Sequence, residues 1–428
     1  MNDEESPAGD LEARRGRVLG ASYRLFYDEP IQVVRGEDVY LWDADGRRYL
    51  DAYNNVASVG HSHGEVVSAL AEQAAVLNTH TRYLGAEVVE YAEDLIVTFP
   101  GSLDRVVLTC TGSEANDVAY RLAKVVTGGN GVLVTSNAYH GVTDAVAQFS
   151  PSLGPAVAPG PHVRAVRAPD TYRESTDGIG QRFAADVATA IDDLRAHGLR
   201  PAAMFIDTVL SSDGVQTGKA GYLRPVQEVL QSAGVLLVAD EVQAGFGRTG
   251  HMWGFERHGL EPDLVTLGKP MGNGHPIGGL VGRSELMDEF GRTARYFNTY
   301  GGNTVSAAVG RAVLRVIRRQ GLVDNSAAVG TYLRSRLRDL QSRQPVIGQV
   351  RGEGLFVGLE IVDADGRADG DRAGHLVNGL RHRGVLVNTT GPHANVLKVR
   401  PPLTFSAAHA DVLADALEEA LLEDFKRS

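Results

Sequence analysis

Between residues 60 and 320 the chain alternates short apolar runs with amphipathic stretches, a pattern that few folds accommodate. The runs are Arg105–Thr109, Val132–Ser136, Ala203–Asp207, Val235–Ala239 and Leu264–Leu267. They are so continuously apolar that both faces of each strand must be buried, as in a mostly parallel sheet covered by helices. Helical patterns at Glu114–Val126 and Tyr222–Ser232 lie between them, and this alternation predicts an α/β fold. Residues 150–181, dense in Pro, Gly and Ser, read as a long surface insertion. After a helix near Val305–Gln320 the pattern changes. Strands at Gly354–Val362, Val385–Val387 and Val396–Arg400 then alternate with helices at Asp371–His382 and Ala407–Phe425, as in a smaller α+β unit. The expected division is residues 1–60 packing with the small unit, 61–320 as the large domain and 321–428 as the small one.

Charge and composition exclude several roles. The net charge of −11 comes with no basic block, which argues against nucleic-acid binding by phosphate neutralisation. No apolar run approaches the roughly 18 residues of a membrane span. The N-terminus is acidic and lacks the apolar core of a secretory signal. The single cysteine, Cys110, cannot form an intramolecular disulfide. A cytoplasmic protein is expected.

Lysine is rare, five among 42 basic residues. Arginine keeps its proton in any setting, whereas surroundings can make a lysine neutral and nucleophilic. Lys269 ends a strand candidate between Gly268 and Pro270 in GKPMGNGHP. Desolvated there, it would attack aldehydes. Asp240 follows the run VLLVA directly, so its carboxylate projects from the strand's carboxyl end, where open α/β sheets bind ligands. Alone, it would read first as a turn or N-cap aspartate. An acid and a lysine at neighbouring strand ends suit pyridoxal phosphate, the lysine on its aldehyde carbon and the acid keeping its ring nitrogen protonated. The phosphate needs a glycine-containing turn opening a helix, which Gly112 and Ser113 supply. Tyr139, in AYHG, either stacks on a flat ring or simply packs.

TGSEAN, YHG, ADEVQAGFGRTG, GKPMGNGHP and FNTYGGN occur in this order. The set resembles the class III (ornithine/acetylornithine/GABA-type) aminotransferases, from about Tyr40 to the C-terminus. The resemblance implies fold type I of the pyridoxal phosphate enzymes. That fold has a large domain with a mostly parallel, seven-strand-type sheet and a smaller α+β domain built from the C-terminus and the N-terminal segment. It implies that Lys269, Asp240 and Tyr139 form the catalytic set, as Schiff-base lysine, partner of the pyridine nitrogen and ring-stacking residue. Val242 would pack on the opposite ring face and Gln243 would reach the ring hydroxyl. Gly112 and Ser113 would bind the phosphate, joined by Thr299 from the neighbouring subunit, hence a homodimer with shared active sites. VGHSH, LNTHTRYL, APDTYR and GPHANVLKVRPP are closer still to the subgroup containing ethanolamine-phosphate and phosphohydroxylysine phospho-lyases, whose members also include aminotransferases.

Two positions depart from the general family pattern. Lys398 stands where many members carry a carboxylate-binding arginine, with Arg400 just before Pro401. Thr208 and Ser211 replace the family's Glu and Gln in IDTVLSS, so the usual gate for two carboxylate substrates looks altered. Arg82, Lys398 and Arg400 are candidate substrate contacts, and Arg82 reads equally as a structural ion pair. His61 and His63 have metal-like spacing without a companion cluster, so no metal is expected. The expected reaction is transfer of an amino group from a small amine or amino acid to a keto acid. The alternative is elimination or replacement on an O-phosphorylated or otherwise activated amine.

Overall fold

The apolar runs pair into a seven-stranded sheet in the computed structural model, which describes residues 7–427. In chain order its strands are β1 (Arg105–Thr109), β2 (Gly131–Thr135), β3 (Val163–Val166), β4 (Pro201–Ile206), β5 (Leu236–Asp240), β6 (Leu264–Leu267) and β7 (Gly278–Gly282). Their spatial order is β1-β7-β6-β5-β4-β2-β3. All neighbours from β3 to β6 run parallel, and only β7 is antiparallel to both strands beside it. Every residue of β2, β4, β6 and β7 is buried, as helices on both faces require. No helix of the described residues is long and apolar enough to cross a membrane.

Two strands of this sheet were not expected from the sequence. The stretch 150–181 is not wholly a surface insertion, because its centre is β3, paired in parallel with β2 at the sheet edge. Only Val163 and Val166 of β3 are buried, and Arg164 reaches out to Asp193, so the apolar signal is thin. β7, GGLVG, reads poorly as a strand because three of its five residues are glycine. Two of the three are required by crowding: a Cβ on Gly278 would lie 2.7 Å from Thr109 Oγ1 and from the Thr111 carbonyl, and one on Gly282 would lie 2.7 Å from Leu264 Cδ2.

Two four-stranded sheets complete the chain. One joins Val33–Glu37, Tyr40–Asp43 and Arg48–Asp51 to Val385–Leu386, with Leu50 and Asp51 paired in parallel to Val385 and Leu386. N-terminal and C-terminal segments therefore share a sheet. The other orders Ile347–Glu353, Phe356–Ile361, Val396–Val399 and Asn388–Thr390. The helix Leu322–Gln341 crosses this sheet closely at Gly330, where a Cβ would fall 1.9 Å from the Gly354 carbonyl oxygen.

That contact is backbone against backbone and cannot relax cheaply. Gly330→Ala is therefore expected to cost about 1–3 kcal/mol by overpacking. Thermal denaturation should show Tm falling by at least about 2 °C. Gly374→Ala, in a helix with nothing within 4 Å of the new Cβ, should leave Tm unchanged or raise it.

Candidate active site

The parallel strands deliver their chemistry to one edge. β5 ends on Asp240, β6 runs into Gly268 and Lys269, and β4 runs into Asp207. Asp240 is only 5 % exposed, and its carboxylate is fixed from three sides. Oδ2 accepts from His140 Nδ1 at 2.7 Å and Asn116 Nδ2 at 3.0 Å, and Oδ1 accepts from the Val242 N–H at 3.1 Å. Asn116 is held in turn by the Thr266 hydroxyl, which donates to its Oδ1 at 2.8 Å. Accepting carboxylates dictate the histidine tautomer: Nδ1 carries the proton toward Asp240. His140 Nε2, near the rings of Phe149 and Phe205, has no partner among the described residues.

Lys269 occupies a strained backbone position, φ +29°, at the start of a short 3₁₀ turn. The turn is clamped by the N-terminal segment. Ser58 Oγ donates to the Pro270 carbonyl at 2.9 Å, and Asn273 bonds the Val59 N–H and the Gly60 carbonyl at 2.9 and 2.8 Å. Gly268 abuts the helix Gly112–Thr127, where a Cβ would lie 3.0 Å from the Gly112 nitrogen. Burial first and the Arg400 guanidinium second lower the Lys269 pKa to about 8, against the opposing pull of Asp240 and Asp207. Its Nζ lies 6.0 Å from the Tyr139 ring centroid.

The helix Gly112–Thr127 begins at the same edge. Thr111 caps it by accepting from the Glu114 N–H at 3.1 Å, while Glu114 reaches back to the Cys110 N–H at 2.7 Å. The N–H groups of the first turn form an anion-binding end. A Cβ on Gly112 would strike Val242 Cγ2 at 2.7 Å, so glycine is required for this approach.

Gly112, Ser113, Tyr139, Asp240, Val242 and Lys269 line one cavity of about 270 Å³. An amine, a fixed carboxylate, an anion-binding helix start and an aromatic face around one space fit the groups of pyridoxal phosphate. Gln243 borders it too, its amide held between the Ser211 hydroxyl, which accepts from Nε2, and Arg400, which donates to Oε1. A second cavity of about 450 Å³ meets the first at Val56 and Lys269 and includes Arg400.

The remaining candidates lie elsewhere. Lys398 lines neither cavity; its Nζ is buried against Thr390 Oγ1 at 3.3 Å, and burial followed by Arg400 drives its pKa well below the usual lysine range. Thr208 turns away to donate to Glu241 at 3.2 Å, a carboxyl whose burial raises its pKa to about 8. Arg82, exposed, lies 3.8 Å over the Phe297 ring, and Thr299 is exposed as well; neither lines these cavities. His61 bonds Asp51 at 2.7 Å. Among the described residues no group of three or more His, Cys, Asp or Glu is placed to hold a metal.

Sequence reasoning missed three residues. His140 and Asn116 hold Asp240, and Asp207 lines the first cavity, its pKa raised foremost by burial. The usable signals were adjacency to Tyr139 for His140 and, for Asn116, a polar residue one helical turn beyond Gly112.

The sequence profile described as aminotransferase class-III matches residues 26–421. The chain is 40% identical over 425 residues to alanine–glyoxylate aminotransferase 2-like of Drosophila melanogaster, covering 95% of this chain and 86% of that one. It is 35% identical over 435 residues to ethanolamine-phosphate phospho-lyase homolog 1 of Caenorhabditis elegans, covering 96% and 93%. Among solved structures it is similar to a phospholyase from Arthrobacter in complex with phosphoethanolamine, with a TM-score of 0.94 and 44% identity over 96% of this chain and 99% of that one.

A lysine with a pKa near 8 is expected to betray itself in the cofactor-free protein. Only the free base attacks an aldehyde, so trapping of a small aldehyde on Lys269 by borohydride should rise between pH 7 and 9 and then level off. An ordinary lysine, near 10.4, would still be climbing steeply. Mass analysis of the Lys269 peptide reads the outcome.

Proposed function

The chain belongs to the class III aminotransferase family and is a pyridoxal phosphate enzyme; from that premise we infer that it removes phosphate from a small O-phosphorylated primary amine. One observation carries the choice of elimination over amino transfer. Lys398, standing where the family's carboxylate-binding arginine is expected, is buried against Thr390 and borders neither cavity. Without that planar fork the site lacks the usual two-point grip on an amino-acid carboxylate. An amine bearing phosphate and no carboxylate fits, and the likeness to the Arthrobacter phospholyase supports the reading. Amino transfer is the second reading, favoured by the relative named as an alanine–glyoxylate aminotransferase.

Bound pyridoxal phosphate supplies an aldehyde that captures the amine and a protonated ring that draws electrons from the adjacent carbon. The protein's own residues do the rest. Asp240, braced by His140, Asn116 and the Val242 N–H, holds the proton on the ring nitrogen. Tyr139 and Val242 would hold the ring between them, Gln243 would meet its hydroxyl, and Gly112 and Ser113 would bind its phosphate. Lys269, with its lowered pKa, takes the proton from the carbon bearing the amine. The electron pair so released expels phosphate from the next carbon, and water then yields a carbonyl compound and ammonia.

Completion of the site by a second copy of the chain belongs to this reading. Thr299 is exposed, as are the apolar Phe297, Tyr300, Tyr83 and Leu84. A homodimer would cover that surface and bring Thr299 to the neighbouring subunit's cofactor phosphate.

The test offers phosphoethanolamine to the loaded enzyme without a keto acid. Release of inorganic phosphate together with ammonia is the expected result, and Lys269→Ala should lower kcat at least about 100-fold. If alanine or glutamate instead bleaches the visible absorbance to a stable band near ~330 nm, and phosphoethanolamine yields no phosphate, the elimination reading is lost and amino transfer replaces it.

A further inference from the structure

Arg400 is only 8 % exposed, yet of the two cavities it lines the second and not the first. Its guanidinium lies over the Tyr53 ring, 4.6 Å from the centroid. Nε donates to the Tyr53 carbonyl at 3.1 Å and Nη1 donates to Gln243 Oε1. Nη2 has no partner among the described residues, and unlike Nη2 of Arg248 it is not sealed away from solvent. Its open surface therefore belongs to the space that Arg400 lines. A guanidinium nine-tenths buried, fixed on one side with donors free on the other, is built to receive an oxyanion. Asp51 is the anion on the same wall, and it is already engaged. Its Oδ1 accepts from the N–H groups of Tyr53 and Asn54 at 3.1 and 2.9 Å, and Oδ2 bonds His61 Nε2 at 2.7 Å. It is 2 % exposed, and the buried Arg248 guanidinium is within electrostatic reach of both Asp51 and Arg400. Two guanidiniums thus outnumber one engaged carboxylate, and the balance of charge on that side is positive.

The geometry points to Arg400 as the receptor for the substrate's phosphate, which Nη2 holds in the second cavity while the substrate's amine reacts at Lys269. This rests on the reading above, in which a phosphorylated primary amine is the substrate, and adds where its anion goes. Lys269 and Arg400 share the cavity and act on each other's charge, so one short molecule can reach both. The two cavities hold no other guanidinium, so a substrate with one anion is satisfied there and one with two is not. Phe26 meets the Tyr53 ring edge-on at 5.6 Å, and with Leu25, Ile31 and Leu41 it makes a wall that offers a second anion no donor. A small phosphorylated amine without a carboxylate fits this space better than a phosphorylated amino acid.

The test separates binding from reaction. Loaded enzyme is titrated with 3-aminopropylphosphonate, in which a methylene replaces the ester oxygen of phosphoethanolamine so that no phosphate can leave. Propylamine, with the same amine and no anion, is the reference. The change in visible absorbance on mixing gives each Kd, and the ratio of the two cancels whatever Arg400 does to Lys269 itself. Wild type should prefer the phosphonate roughly 10- to 100-fold, the range for hydrogen bonds to a charged group, and Arg400→Gln should lose most of that preference. Arg400→Lys, a point charge without the fork, should lose several-fold of it, and it carries the test if the glutamine variant does not fold. A ratio that stays at the wild-type value in the folded variant overturns the proposal, because Arg400 would then act only through Gln243 or Lys269. A wild type that binds both amines equally overturns it as well. The elimination reading fails separately, by absence of phosphate from phosphoethanolamine, and the phosphonate ratio still decides for or against Arg400.

Discussion

An ammonium taken out of water beside a guanidinium gives up its proton more readily, and the state of Lys269 rests on that pairing of desolvation with Arg400. Neither contribution is local in sequence. Desolvation needs the GKPMGNGHP turn pressed against the start of the helix Gly112–Thr127 and clamped from above by Ser58, Val59 and Gly60. The guanidinium arrives just after the strand Val396–Val399, at the other end of the chain. Asp240 and Asp207 pull the opposite way, so the lysine sits between a neutralising and a charging environment. That balance leaves it protonated in part and free in part near neutral pH, which suits a group that must both hold and take a proton.

Most of the polar groups around it satisfy one another. Asp240 accepts three bonds, Asn116 is fixed by Thr266, and Gln243 is gripped between Ser211 and Arg400. Networks of this kind restrict the side chains they join. The stiffness falls on the side of the cavity where a flat ring would be gripped. The second cavity is walled largely by apolar side chains of the N-terminal segment.

Much of this architecture was written in periodicity. β1 and β6 fall where their apolar runs lie, and β2, β4 and β5 differ from theirs by one or two residues at the ends, because strands buried on both faces leave an uninterrupted signature. β3 and β7 escaped for opposite reasons. The first is an edge strand with only two buried side chains, and the second is glycine-rich, with close neighbours leaving no room for a Cβ at Gly278 or Gly282. Lys269 and Asp240 were legible because a lysine between Gly and Pro and an acid at a strand end have few ordinary uses. Asn116 and Asp207 were not, since nothing local distinguishes an amide that braces a buried acid from one that caps a turn. The gate reading of Thr208 also needed coordinates: a strand end alternates its side chains, and Thr208 falls on the side facing Glu241 while Asp207 faces the cavity.

The parallel pairing of Leu50 and Asp51 with Val385 and Leu386 carries a temporal consequence. Contacts between opposite ends of a chain form late, because the loop they close is long and its entropy must be overcome before they return anything. On a ribosome the large sheet can assemble while Arg400 is still unmade. The nascent protein thus passes through a stage with its lysine in place but lacking the neighbour that helps strip its proton. Chemical reactivity at Lys269 is, in this sense, a late signal that synthesis has reached the last strand and that the two ends of the chain have met.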